Sequence, residues 1–88
     1  MHETKHWDIA VEIDEHDGRT RAVARLRTDS DELTGVGLAR LSPHDQDVPE
    51  IGDELAAARA LSELSHQLLD TAAGDIEQIT HQPARVRI

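Results

Sequence analysis

The residues whose type and spacing could do chemistry are first of all the histidines, since the chain has six of them and no cysteine. His2 and His6 have the i, i+4 spacing that a helix could turn into a metal-binding pair. No His-Glu-x-x-His motif accompanies them, and no carboxylates cluster beside the histidines on one predicted face. We therefore interpret the histidines as scattered surface residues and expect neither a metal site nor a cofactor. The six are His2, His6, His16, His44, His66 and His81.

A nucleophile with its base is the next candidate. Ser65 and His66 are adjacent, but neighbouring side chains on a helix point in different directions and do not form such a pair. The acidic pairs Asp14-Glu15 and Asp53-Glu54 fall at a predicted turn and a predicted helix start, where solvation and capping explain them. Gly35-Val36-Gly37 lacks the third glycine of a dinucleotide-binding loop. We expect no catalytic residue, no small-molecule substrate and no enzymatic activity.

The arginines carry the strongest functional signal. Four of them alternate along a predicted strand and so share one face, forming a positive stripe roughly 25 Å long at about 3.3 Å per residue. A stripe of that length suits a phosphate backbone, whereas the alternative is that the arginines pair with Glu12, Asp14 and other acids across a hairpin. The single aromatic residue, Trp7, gives such a face no platform for stacking single-stranded bases. The candidate phosphate contacts are Arg19, Arg21, Arg25, Arg27 and Arg40.

The elements that must position these residues begin with a predicted β-hairpin. Apolar and polar residues alternate over positions 7–14, the period of a half-buried strand. A polar connection over 15–18 follows, in which Gly18 can take positive φ, and a second strand is predicted over 19–28. After a turn at 29–32, a third strand is predicted over 33–41. The pattern indicates a three-stranded antiparallel meander.

The third strand carries glycine at two alternating positions, Gly35 and Gly37, which makes one of its faces flat. Such a face could admit a close-packed helix or a partner's backbone, and a β-bulge is an equally ordinary interpretation. A polar loop over residues 42–49, punctuated twice by proline, then leads away from the sheet.

The second half of the chain has a helical period. From Ile51 apolar residues recur every three or four positions, which predicts a long amphipathic helix ending near Gly74. Asp75 can cap a short second helix that ends before Pro83. Residues 85–88 alternate again and could pair with a sheet edge. The predicted fold class is α+β: a three-stranded antiparallel sheet followed by a long helix and a short C-terminal helix.

At 88 residues the chain should form one domain with a thin core, because it has no phenylalanine or tyrosine to fill it. We expect a homodimer for that reason. We predict a flexible tail over 1–5, the β meander over 6–41, a helical part over 50–82 and a tail over 83–88. The lack of cysteine and of a long apolar run leads us to expect a cytoplasmic protein outside the membrane. A net charge of −9 disfavours nucleic-acid binding except through a local basic surface.

Sequence blocks spread along the chain from Trp7 onwards resemble a known family. The resemblance rests most specifically on Gly35-Val36-Gly37-Leu38-Ala39-Arg40-Leu41 and Ile51-Gly52-Asp53-Glu54-Leu55, supported by Ile13-Asp14-Glu15-His16, Ala58-Arg59-Ala60-Leu61-Ser62 and Thr80-His81-Gln82-Pro83. The family comprises small uncharacterised actinobacterial proteins described as double-stranded-RNA-binding-domain-like. Its members include a mycobacterial protein induced in hypoxia and dormancy that resembles ribosome hibernation-promoting factors.

The resemblance implies a β-β-β-α architecture, a homodimer and a role in stress or dormancy through the ribosome or its RNA. On this basis the leading hypothesis is a non-enzymatic protein that binds the ribosome or structured RNA through its arginines. The alternative is a dimeric protein-interaction module that presents an acidic helix face, including Glu54, Glu63 and Asp70, to a basic partner.

Overall fold

The computed structural model describes residues 2–40 and 48–87. These residues form three strands, β1 (Ile9–His16), β2 (Arg19–Arg27) and β3 (Glu32–Arg40), and a helix, α1 (Pro49–Thr80). The strands build one antiparallel sheet in the order β1-β2-β3, and α1 packs mainly on β3 and β2. The predicted meander and long helix are therefore confirmed. Most of the predicted loop over 42–49, with His44, lies outside the described residues, as do residues 41 and 88.

The β1–β2 hairpin is tighter than the sequence indicated. The strands are joined by the two residues Asp17 (φ 51°) and Gly18 (φ 72°). Positive φ at both central positions is the mark of a type I′ turn, whose twist matches that of the flanking strands. The turn fixes the register so that His16 lies opposite Arg19. β1 also begins at Ile9, two residues later than the alternation predicted.

The two glycines of β3 are the place where helix and sheet meet. A Cβ added at Gly35 would lie 2.6 Å from the backbone nitrogen of Leu64, and one added at Gly37 would collide with the backbone of Ala56 and Ala60. The first interpretation of the flat face, close packing of a helix, is thus confirmed. The buried core is built around this contact and comprises Ala22, Ala24, Leu26, Ala39, Ala56, Ala60 and Leu64.

Side chains of α1 also cover the outer edge of β3. Positions four apart on a helix lie on one face, and three such residues reach the backbone groups of β3 that point away from β2. These groups would otherwise form a free edge open to another strand. The three bonds run from Arg59 Nη1 to Leu38 O (2.7 Å), from Val36 N to Glu63 Oε2 (2.9 Å) and from Gln67 Nε2 to Thr34 O (2.6 Å).

The C-terminal half of the helical part corrects two predictions. The helix passes through Gly74 without a break and ends at Thr80, so the predicted short second helix is wrong. One glycine inside a helix costs only about 1 kcal/mol, and the stop comes instead at His81, which adopts the left-handed conformation (φ 59°) and donates its N–H to Glu77 O. The predicted pairing of the C-terminal tail is also wrong, because residues 83–87 form no strand; Ala84 N–H donates to the Glu77 carboxylate instead.

The helix leaves β1 largely uncovered. The β1 side chains on the α1 side of the sheet include Ile9 and Ile13, which are each 45% exposed, and Val11, which is 37% exposed. The backbone N–H of Val36 points away from β2, toward Glu63 of α1. Backbone groups alternate in direction along an antiparallel ladder, so this register turns the N–H and C=O groups of Ile9, Val11 and Ile13 away from β2 as well. β1 is therefore both the apolar strand and the free edge of the sheet.

Candidate nucleic-acid interface

The face of the sheet opposite α1, called the open face here, carries all five candidate arginines. The residues of β2 that face α1 are buried, and the arginines alternate with them. Arg40 of β3 lies opposite Arg19 of β2, so it shares the same face. The common face predicted for the four arginines of β2 is confirmed, and Arg40 shares it. The five residues divide into two groups with different surroundings.

At one end of the open face the arginines have acidic neighbours. Arg25 Nη1 lies 3.7 Å from Glu12 Oε1, and Arg27 Nη2 lies 3.5 Å from Glu32 Oε2. Both pairs are exposed to solvent, where an ion pair contributes roughly 0–1 kcal/mol. Pairing across the hairpin, the alternative considered from the sequence, therefore describes Arg25 and Arg27.

The other end of the open face differs in that its acidic neighbour, Asp14, forms no ion pair with an arginine among the described residues. Its last row across the sheet runs His16, Arg19, Arg40, and the preceding row places Arg21 between Asp14 and Leu38. Opposed like charges weaken a sheet, so the Arg19–Arg40 pair is not explained by stability. Within residues 2–40 and 48–87, no ion pair within 4.0 Å joins Arg19, Arg21 or Arg40 to an acid.

These residues line a concavity of about 500 Å³. A fourth arginine, Arg59 of α1, enters it from the β3 edge, where its Nη1 is held by Leu38 O. The described lining residues include four arginines and one carboxylate, a net charge of +3 when histidine is neutral, in a chain of net charge −9. We call Arg19, Arg21, Arg40 and Arg59 the basic end. The remaining lining residues are Asp14, His16, Thr20, Leu38 and Ala39.

Two contributors to this site were not selected from the sequence. His16 is brought beside Arg19 by the two-residue turn, and the alternating pattern alone did not fix that turn. Arg59 is the single basic residue of the first six turns of the helix, a feature visible in the sequence. Its place at the β3 edge depends on how close the glycines let the helix approach, which no local pattern shows.

Of the three acidic residues named in the alternative hypothesis, one is already engaged within the protein. Glu63 faces the β3 edge and accepts the Val36 N–H, so it is not free to meet a partner. Glu54 and Asp70 are exposed.

The requirements of a metal-binding cluster and of a membrane-spanning helix are not met among the described residues. Residues 2–40 and 48–87 contain no group of three or more His, Cys, Asp or Glu side chains arranged to hold a metal ion. In the same part of the chain, no helix is both long and apolar enough to cross a bilayer.

Comparison with known proteins places the chain in a family. The family model described as Rv2632c-like matches residues 5–85. The chain belongs to the Rv2632c-like family. This confirms the resemblance to a family of small uncharacterised mycobacterial proteins; the likeness to double-stranded-RNA-binding domains and hibernation factors stays a prediction.

Relatives within the Rv2632c-like family cover nearly the whole chain. Uncharacterized protein Mb1767 of Mycobacterium bovis is 59% identical over 85 residues, which are 97% of this chain and 90% of that protein. Uncharacterized protein Rv2632c of Mycobacterium tuberculosis is 56% identical over 82 residues, 93% of this chain and 88% of its own. The crystal structure of Rv2632c superimposes with a TM-score of 0.85, covering 93% of this chain and 98% of that one. The same fold is thus found experimentally in a relative.

Proposed function

We propose that this protein is a non-enzymatic, cytoplasmic homodimer that binds the ribosome or another structured RNA through the basic end of its sheet. The observation that carries the proposal is the Arg19–Arg40 opposition beside Arg21 and Arg59. Like charges placed together at a cost to the sheet indicate an anionic partner. Arginine suits phosphate in particular, since its planar donors can bind two phosphate oxygens at once.

The strongly acidic chain restricts how RNA can approach. A net charge of −9 repels a polyanion over most of the surface, whereas the concavity has a local charge of +3. RNA would therefore be held by a few phosphates at one end of the open face, not along the entire arginine stripe. Arg25 and Arg27, which already form ion pairs with Glu12 and Glu32, contribute less.

The composition of the interface favours structured RNA over single strands. Single-stranded bases are usually bound by stacking on large aromatic side chains, and the described lining of the concavity contains no Phe, Tyr or Trp. Folded RNA is recognised mainly through its backbone and shape, which requires positioned donors and no aromatic platform. A role in stress or dormancy, expected from the family resemblance, is part of the same proposal.

The homodimer is proposed through β1. The β3 edge is closed by the protein's own helix, whereas β1 presents outward backbone groups together with Ile9, Val11 and Ile13. Antiparallel pairing of two β1 strands about a two-fold axis at Val11 would place Ile9 opposite Ile13 of the partner subunit. The result is a six-stranded sheet with the apolar side chains of both copies between two helices. Burial of that strip supplies the additional core that a thin single domain lacks.

The test uses fluorescence anisotropy of a labelled, folded ribosomal RNA fragment over a range of salt concentrations. Arg21→Gln/Arg40→Gln should weaken binding about tenfold or more and flatten the dependence on salt, with a slope smaller by about one per lost phosphate contact. Arg25→Gln/Arg27→Gln is the matched control, because it removes the same charge from the same face and should stay within about threefold of wild type. Equal losses in the two variants would overturn the assignment to the basic end.

A further inference from the structure

The concavity at the basic end is larger than one phosphate contact on an RNA backbone requires. Four arginines line about 500 Å³ of space, and the Nη1 of one of them, Arg59, donates to Leu38 O. We propose that this concavity is a binding site for a small anion with two linked phosphates, either pyrophosphate itself or the diphosphate of a nucleotide. The inference rests on the same basic end as the proposed function, but not on RNA being bound.

The spacing of the arginines allows two linked phosphates to be bound together. Arg19 and Arg40 lie directly opposite each other on neighbouring strands, where Cβ atoms are about 5 Å apart. Arg21 follows Arg19 by two residues on the same face, about 6.6 Å further along the strand. Two linked phosphates can contact the Arg19–Arg40 pair with one group and Arg21 with the other.

The charge of the site also indicates two phosphate groups. The lining carries four arginines against Asp14, a net charge of +3 with His16 neutral. A phosphate group contributes roughly −1.5 to −2 near neutral pH, so two of them neutralise the site. A single phosphate leaves uncompensated positive charge among the opposed arginines.

The walls determine what else the site recognises. Leu38 contributes an aliphatic side chain, and the described lining contains no Phe, Tyr or Trp ring to hold a base. Recognition should therefore depend on the diphosphate and be nearly indifferent to an attached nucleoside. Pyrophosphate and ADP should bind alike, whereas orthophosphate and AMP should both bind weakly.

A ligand in this concavity would occupy the guanidinium groups that the proposed function assigns to RNA. Arg21 and Arg40 cannot neutralise a diphosphate and an RNA phosphate at the same time. Binding of the small anion and of RNA should therefore be mutually exclusive, so that the concentration of free diphosphate regulates RNA binding.

The experiment is isothermal titration calorimetry of the full-length protein with pyrophosphate, orthophosphate, ADP and AMP, at matched ionic strength and with EDTA to remove divalent cations. We expect pyrophosphate to bind about tenfold or more tightly than orthophosphate, and ADP to stay within about threefold of pyrophosphate. Arg40→Gln should weaken pyrophosphate binding by about tenfold, whereas the control Arg27→Gln, on the same face beside Glu32, should change it by less than about twofold. Equal affinities for pyrophosphate and orthophosphate, or equal effects of the two variants, would overturn the inference.

A competition arm separates this inference from the proposed function. Pyrophosphate is titrated into the complex with labelled RNA at constant ionic strength, with sodium sulfate as the control anion. Release of RNA by pyrophosphate but not by sulfate supports both proposals. Pyrophosphate binding without any RNA binding supports the inference and overturns the proposed function. RNA that stays bound at saturating pyrophosphate overturns the inference and leaves the proposed function standing.

Discussion

The backbone N–H of Val36 donates to the carboxylate of Glu63 at 2.9 Å, joining the outer edge of the sheet to the helix that covers it. Exposed strand edges pair readily with other strands, and proteins commonly block them with charged residues or a covering element. Here one face of α1 covers the edge and also supplies the charged and polar side chains, since Arg59 and Gln67 donate to the carbonyls of Leu38 and Thr34. This closure leaves β1 as the free edge among the described strands and holds Arg59 at the basic end.

The edge closure itself can be tested with Glu63→Ala. Loss of a charge-assisted hydrogen bond at a partly solvated edge should lower the free energy of unfolding by about 1 kcal/mol. Glu54→Ala removes an exposed glutamate of the same helix and serves as the control, with an expected change within about 0.5 kcal/mol. Urea unfolding at a fixed protein concentration measures both. Equal stabilities of the two variants would contradict the role given to Glu63.

Replacing glycine by alanine should have opposite effects on stability at Gly37 and at Gly74. Gly37→Ala places a Cβ against the backbone of Ala56 and Ala60 and should destabilise the fold by about 2–3 kcal/mol or prevent folding. Gly74→Ala meets nothing within 4 Å and lies in a helix interior, so it should stabilise by about 0.5–1 kcal/mol. Thermal unfolding followed by circular dichroism compares them. A stable Gly37→Ala protein would show that the helix does not approach β3 as described.

The dimer through β1 predicts that Val11→Asp yields monomers. The charge would lie at the proposed two-fold axis, on the exposed apolar side of the strand, facing its own copy. Thr34→Asp, which adds the same charge at an exposed open-face position of β3 opposite Arg25 and away from β1, is the control and should leave the dimer intact. Sedimentation velocity over a range of protein concentrations distinguishes the two. Wild-type protein that sediments as a monomer throughout would rule out the dimer.

The strands were predictable because their alternation is local. Period-two patterns placed all three strands within two residues of their described positions, but the β1–β2 register depends on the two-residue Asp17-Gly18 turn, which the alternation did not fix. The helix end was not predictable from Gly74, since packing and continuous hydrogen bonding outweigh the propensity of one residue. The strands and the long helix could thus be predicted from the sequence, whereas tertiary contacts determined where α1 ends.

The candidate site was half predictable for a similar reason. Alternation alone showed that Arg19, Arg21, Arg25 and Arg27 share a face. Which of them have acidic neighbours depends on the register with β1 and β3, and the recruitment of Arg59 depends on a contact between residues 21 positions apart. Non-local pairing therefore reduces a uniform arginine stripe to one basic end.

The central claim, that the basic end attaches this protein to ribosomal RNA, is tested most directly by sucrose-gradient sedimentation of lysates from non-growing cells at low and moderate salt. We predict that wild-type protein and the Arg25→Gln/Arg27→Gln control migrate with ribosomal particles at low salt, while Arg21→Gln/Arg40→Gln remains at the top of the gradient. Absence of the wild-type protein from every ribosomal fraction at low salt would contradict the account.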